Sequence, residues 1–224
     1  MSHELPDNLH WHQQENIGMA IRPYALTPEQ VDVLREVANI GTGNAVTSLA
    51  EMTGQPFNMS VPTVGVVEME RMAAVLGDPE ALSAAVYMPV NGDVDGHVAF
   101  IFPFESACHL VDLLYGNEVG TTTELDELGC SAMMEVGNVI VSSFLNALAD
   151  LTQMCLPASP PGLAVDMTAA ILASIAGVST SLGDHALTIM TQMTDMAFPL
   201  EGVFVFIPEP AALPMLFSSL GMAA

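Results

Sequence analysis

The run DVLREVANIGTGNAVTSLAEM, Asp32 to Met52, is echoed ninety-nine residues later by SAMMEVGNVIVSSFLNALADL, Ser131 to Leu151. Both open on a small polar residue, Asp32 or Ser131, with Glu four positions on and Asn three beyond that. At about 100° per residue, Val31, Leu34, Ala38, Ala45, Leu49 and Met52 fall within an arc of roughly 60°, as an amphipathic helix requires. Asp32, Glu36, Asn39 and Gly43 cluster on nearly the opposite side. The second run divides in the same way. Cys130, Met133, Gly137, Val141, Phe144, Leu148 and Leu151 form the apolar stripe, and Ser131, Glu135, Asn138 and Ser142 the polar row. Each Glu–Asn pair therefore points away from the core, one turn apart, where i and i+3 side chains are neighbours.

Punctuation bounds the two helices. Thr27 can cap the first, Pro28 suits its first position and Gln30 completes a capping box. Thr53-Gly54-Gln55-Pro56 should stop it near Met52. The second is expected from about Glu124 to about Thr152, ahead of Pro157, Pro160 and Pro161.

The echo continues beyond the helices. Pro62 matches Pro161 and Val66 matches Val165 at the same offset. Pro103 matches Pro208 and Gly116 matches Gly221 at an offset of 105, so a loop between them is longer in the second copy. Two strand pairs read as β-hairpins, AAVYMPV with HVAFIFPF and HALTIMTQM with GVFVFIPEP, from their β-branched and aromatic content and the turn residues between them. Each leads into a short apolar helix, ESACHLVDLLYG or EPAALPMLFSSLG, and Pro214 should start or interrupt the second. The expected fold is α+β: one domain over 27–224, duplicated about a pseudo-twofold axis as halves 27–120 and 121–224. Two long helices pack with an antiparallel sheet, and residues 1–26 form a flexible N-terminal arm.

Composition narrows the function. The chain carries 26 acidic residues against three arginines (Arg22, Arg35, Arg71) and no lysine, a formal charge of −23. Nucleic acid is excluded as a partner on this reading, because phosphate contacts need cations. So acidic a surface repels itself and is relieved by salt, which points to a source living in high salt. No uninterrupted apolar run reaches the ~18 residues of a spanning helix. The polar N-terminus lacks the order of a signal peptide, so a cytoplasmic protein without membrane insertion is expected. Cys108, Cys130 and Cys155 sit among apolar residues and read as buried thiols, with neither a disulfide nor a zinc pattern. His10 and His12 form an isolated H-x-H, too few ligands for a metal site.

The chemistry open to a Glu–Asn pair is limited. Asn does not exchange protons at neutral pH, but it can accept from and donate to one water and so fix its line of attack. Phosphoryl transfer asks for that kind of positioning. An exposed carboxylate is a poor general base at neutral pH, so anchoring a partner's cation is its better role.

The doubled signature, Asp32-x3-Glu36-x2-Asn39 and Ser131-x3-Glu135-x2-Asn138, closely resembles that of the CheC family of chemotaxis phosphatases, within the CheC–CheX–FliY superfamily. NIGTGNA after the first Glu and ELDELGCSAMMEVGNVI through the second are also CheC-like, and the resemblance spans about 27 to 221. CheX carries a single such site, and FliY adds a C-terminal switch domain for which no sequence follows Ala224, so CheC is the expected branch. The resemblance implies a phosphatase that hydrolyses the aspartyl phosphate of the response regulator CheY. Asn39 and Asn138 would orient water, and Glu36 and Glu135 would contact the regulator's lysine, with Asp32 and Ser131 as flanking motif positions. It implies no cofactor or metal of the chain's own, Mg²⁺ being the regulator's, and the deamidase CheD as a possible second partner. The competing expectation is a non-catalytic module that binds a phosphorylated regulator, or a flagellar switch or CheD partner, through the same helices.

Overall fold

The computed structural model describes residues 26–60, 63–178, 185–194, 199–209 and 212–221. The N-terminal segment with His10, His12 and Arg22, and residues 195–198 between the strands of the second expected hairpin, lie outside them. Helix α1 spans Pro28–Thr53, followed by β1 (Asn58–Met59), β2 (Thr63–Glu68) and α2 (Met69–Val75). Strands β3 (Leu82–Val90) and β4 (Gly96–Pro103) then lead into α3 (Phe104–Tyr115) and α4 (Glu127–Thr152). The rest of the chain is β5 (Gly162–Met167), α5 (Thr168–Val178), β6 (His185–Thr194), β7 (Pro199–Pro208) and α6 (Ala212–Ser219).

The long helices begin and end for local reasons. The Thr27 hydroxyl accepts from the Gln30 N–H, and the Gln30 side chain accepts from the Thr27 N–H, closing the capping box at α1. Gly54 ends that helix in the left-handed region, and Gln153 ends α4 in the same conformation. The second helix starts at Glu127 rather than near Glu124, because Asp126 is its cap and its Oδ1 accepts from the Gly129 N–H at 2.7 Å. In α6, Pro214 lies in the first turn, where a proline's missing N–H costs nothing. The helix is begun there, not broken.

All strands join one antiparallel sheet in the order β1/β2–β6–β7–β4–β3–β5, with β1 and β2 sharing the β6 edge. The central pair β4–β7 places Ala99 opposite Val205 and Phe100 opposite Phe204. By the sheet register Phe102 is equivalent to Phe206 and Phe100 to Phe204, so the pseudo-twofold axis passes through the Phe100–Phe204 pair. Across the axis the halves trade strands. β2 of the first half pairs with β6 of the second, and β5 of the second half pairs with β3 of the first. Neither half completes its own sheet.

Strand alternation divides the core in two. Val98, Phe100, Phe102, Phe204 and Phe206 face α1, α3, α4 and α6, while Ala99, Ile101, Val203, Val205 and Ile207 face α2 and α5. This second helical layer is not among the expected elements. The chain between α1 and β3 supplies β1, β2 and α2, and that between α4 and β6 supplies β5 and α5. The sequence does carry their trace, since β2 and β5 lie at the same offset of 99 as the long helices.

Two glycines let the main layers approach. A Cβ at Gly41 would lie 2.5 Å from the Phe144 ring of α4, and one at Gly137 would lie 2.3 Å from the Val86 side chain of β3. By length and composition α4 could cross a membrane, yet half of its apolar window is buried inside the protein. Expected core positions differ at the ends of the stripes: Val31, Met52 and Cys130 are half-buried and Leu151 is exposed. Among the thiols only Cys108 is fully buried. Cys155 is exposed, on the loop after α4, with its backbone N–H held by Asp93 Oδ2 at 2.8 Å. Its apolar neighbour Leu156 takes the inward position instead.

Candidate functional site

The two polar rows run along the outside of the layer formed by α1 and α4, opposite the stripes that bury Leu34, Ala38, Ala45 and Leu49, or Met133, Gly137, Val141 and Phe144. Asp32, Glu36 and Asn39 are exposed on α1; Ser131 and Glu135 are exposed on α4, and Asn138 is half-buried. No described residue forms a hydrogen bond or ion pair with the side chain of Glu36, Asn39, Glu135 or Asn138. Two carboxylates and two amides are thus presented with their hydrogen-bonding capacity unspent.

The flanking motif positions differ from each other. Asp32 Oδ1 pairs with Arg35 Nη1 at 3.1 Å, while the Ser131 hydroxyl turns back to donate to the Glu127 carbonyl at 3.0 Å. Beyond Asn39, a Cβ at Gly43 would meet nothing within 4 Å, so the end of the first row is open space. Among the described residues no three His, Cys, Asp or Glu side chains gather into a metal site.

A neighbouring feature escaped the sequence reading. Asp112 of α3 is 0% exposed, and its carboxylate organises the loop before α4. Oδ2 accepts from the N–H groups of Gly120 (2.9 Å) and Thr121 (3.0 Å), and Oδ1 from the N–H (3.1 Å) and hydroxyl of Thr122. Burial pushes this carboxyl up, but the bonds from Thr122, Gly120 and Thr121 outweigh it and hold it below the ordinary value. The ordered loop walls a recess of about 360 Å³ between the end of α3 and the start of α4, lined among others by Val111, Tyr115, Thr122 and Leu128. Tyr115 and Leu128 are 50% and 65% exposed, and the Tyr115 hydroxyl donates to the Leu128 carbonyl at 3.1 Å. A buried acid whose partners are backbone N–H groups leaves no pattern in sequence.

A profile of the CheC-like family matches residues 29–66, which hold the first row and the strand after it. The CheY-P phosphatase CheC of Bacillus subtilis is 30% identical over 197 residues, covering 86% of this chain and 94% of the relative. CheC1 of Halobacterium salinarum is 25% identical over 134 residues, covering 60% of this chain and 68% of its own. The crystal structure of Thermotoga maritima FliY has the same fold, with a TM-score of 0.73 at 22% identity over 88% of this chain and 98% of that one. Together with the doubled Glu–Asn row, the Bacillus relative, matched over nearly its whole length, settles the assignment: the chain belongs to the CheC-like family.

Proposed function

We propose that this protein hydrolyses the aspartyl phosphate of a CheY-type response regulator, using the outward rows of α1 and α4 as two sites. The observation that carries the reading is that the same unspent Glu–Asn pair occurs twice, in one register, on the exterior of a duplicated scaffold. The name of the Bacillus relative, CheY-P phosphatase CheC, supports the substrate.

In this mechanism Glu36 or Glu135 anchors the lysine beside the regulator's phosphorylated aspartate, and Asn39 or Asn138 binds the attacking water. The amide accepts one hydrogen of the water and donates to its oxygen, holding a lone pair in line with the phosphorus while the acyl oxygen leaves. Because Asn takes no proton, the water's proton passes to the phosphate as the P–O bond forms. The chain contributes position, and the regulator contributes its own Mg²⁺ and lysine to neutralise the developing charge. No covalent intermediate forms on this chain. The exterior placement matters, since the target aspartate sits on another protein and the helix must come to it.

The test is release of phosphate from a purified regulator, charged with acetyl phosphate and present in excess. Many turnovers per chain are expected, lost in the Asn39→Ala/Asn138→Ala double variant. Turnover left intact in that variant would sink the mechanism. Stoichiometric binding without turnover by the unmutated chain would convert the reading to a docking module.

A further inference from the structure

The two rows stand on duplicated positions, yet what flanks them is opposite in character. Taking each small polar residue as the origin, the position three before it is Glu29 in the first copy and Leu128 in the second. The position three after it is Arg35 in the first and Met134 in the second. The α1 site is thus bordered by charges, with Arg35 engaged by Asp32. The α4 site is bordered by apolar side chains and lies in a half, 121–224, with no arginine or lysine at all. Leu128 shares the helical face of Ser131, Glu135 and Asn138, spaced i, i+3, i+7 and i+10. It is 65% exposed, and it forms one wall of the recess that Tyr115 and the Asp112-held loop complete.

Exposure of a single leucine is ordinary. Here Leu128 and Tyr115 are locked together by a hydrogen bond, backed by an ordered loop, and continuous with a row that meets a partner. The rim around them, Glu124, Asp126 and Glu127, is exposed and acidic.

We infer that Leu128 and Tyr115 form a docking shelf for the regulator at the α4 site alone, seating an apolar side chain of the regulator next to the cation that Glu135 anchors. This rests on the phosphatase reading and makes the two sites unequal. The α1 site holds its partner by charge, and the α4 site holds it by charge and apolar contact. The partner surface that fits is an apolar side chain bordered by cationic groups.

The experiment separates the sites with Asn39→Ala, which leaves α4 working, and Asn138→Ala, which leaves α1. Into each background go Leu128→Ser, which removes the shelf, and Leu128→Met, which keeps it. Burying a leucine is a contribution large enough to change affinity by about tenfold or more. Leu128→Ser is therefore expected to raise KM for the phosphorylated regulator about tenfold in the Asn39→Ala background with kcat unchanged. Leu128→Met should restore it, and neither should alter KM in the Asn138→Ala background. Equal effects in both backgrounds, or none in the first, would overturn the shelf. If the unmutated chain shows no turnover, the phosphatase reading fails by itself, and the shelf is judged by capture of a beryllofluoride-loaded regulator. Leu128→Ser must weaken that capture, and unchanged capture refutes it.

Discussion

Replacing Asp112 by Asn keeps the shape of the side chain while removing its charge, and the structure sets the cost. Oδ2 accepts from the Gly120 and Thr121 N–H groups and Oδ1 from the Thr122 hydroxyl, while the Thr122 N–H is shared between Oδ1 and Oδ2. An amide has one acceptor oxygen, so its NH₂ must face the donors at one of the two positions. The cheaper choice puts NH₂ at the Oδ1 position, where the Thr122 hydroxyl can reverse and accept. The Thr122 N–H then falls back on Oδ2, already 3.2 Å away. Three backbone donors remain bonded, but to a neutral acceptor. Hydrogen bonds to charged groups contribute about 1.5–3 kcal/mol and neutral ones about 0.5–1.5. The loss is therefore about 1 kcal/mol for each, or roughly 2–3 kcal/mol in all. For a chain of this size that lowers Tm by about 5–10 °C at pH 7.

The same variant has a pH signature. The folded carboxyl titrates below its ordinary value, so its contribution is present above the unfolded value near ~3.9 and is lost as pH falls through the lower folded one. Denaturant unfolding of parent and variant across this range should show curves separated at neutral pH that converge in acid. Taking the difference removes the effect of discharging the other carboxylates, which both proteins share. Hydrogen exchange should also quicken at the amides of Gly120, Thr121 and Thr122. A variant within about 0.5 kcal/mol of the parent at pH 7, the size of an ordinary surface substitution, with unchanged protection at those amides, would refute the clamp. So would a gap that stays constant into acid.

Other substitutions test the packing and the charge. The Thr42 hydroxyl is fully buried without a hydrogen-bond partner among the described residues, and its counterpart in α4 is Val141. Thr42→Val should stabilise by about 1–2 kcal/mol, read as a higher denaturation midpoint; a lower midpoint would mean the hydroxyl is satisfied. Gly43→Ala adds a methyl to open space and should stabilise by roughly 0.5–1 kcal/mol, whereas Gly43→Phe should fold but abolish turnover at the α1 site in the Asn138→Ala background. Gly137→Ala, whose Cβ would press on Val86 at 2.3 Å, should destabilise by about 1–3 kcal/mol. With a charge of −23 and a screening length of about 3 Å at 1 M salt, the thermal midpoint should rise from dilute buffer to molar KCl; no rise would remove self-repulsion as a term in stability.

How much of this was readable from residues depends on where each signal resides. The long helices and their outward rows were legible because helical periodicity is local, and because the chain contains its own comparison ninety-nine residues on. The roles of Gly41, between α1 and Phe144, and of Gly43, beside the open end of the row, follow from the same wheel. The layer formed by α2 and α5 was not legible. Met69–Val75 is too short to show a period, and Thr168–Val178 is apolar on nearly every side. The exchange pairs β2 with β6 across 117–127 residues and β5 with β3 across 75–85, and nothing near either strand announces its partner. Asp112 reads locally as one more charge on an amphipathic helix, since its donors are loop N–H groups.

Duplication also separates what the fold requires from what it does not. Where the copies face the sheet, packing restricts change: Ala38 and Gly137 occupy equivalent buried positions, and both are small. Where they face solvent, packing restricts nothing, and Glu29 against Leu128 or Arg35 against Met134 is free to diverge. An exposed leucine adds little to the stability of the folded chain, and in a protein this acidic a carboxylate would be the default at such a place. Leu128 gains its value only when something covers it. The Glu–Asn pair has stayed the same in both copies although it too lies outside the core and is unneeded for folding. A constant pair inside diverging flanks is the pattern expected of one chemistry presented to partners by two different grips.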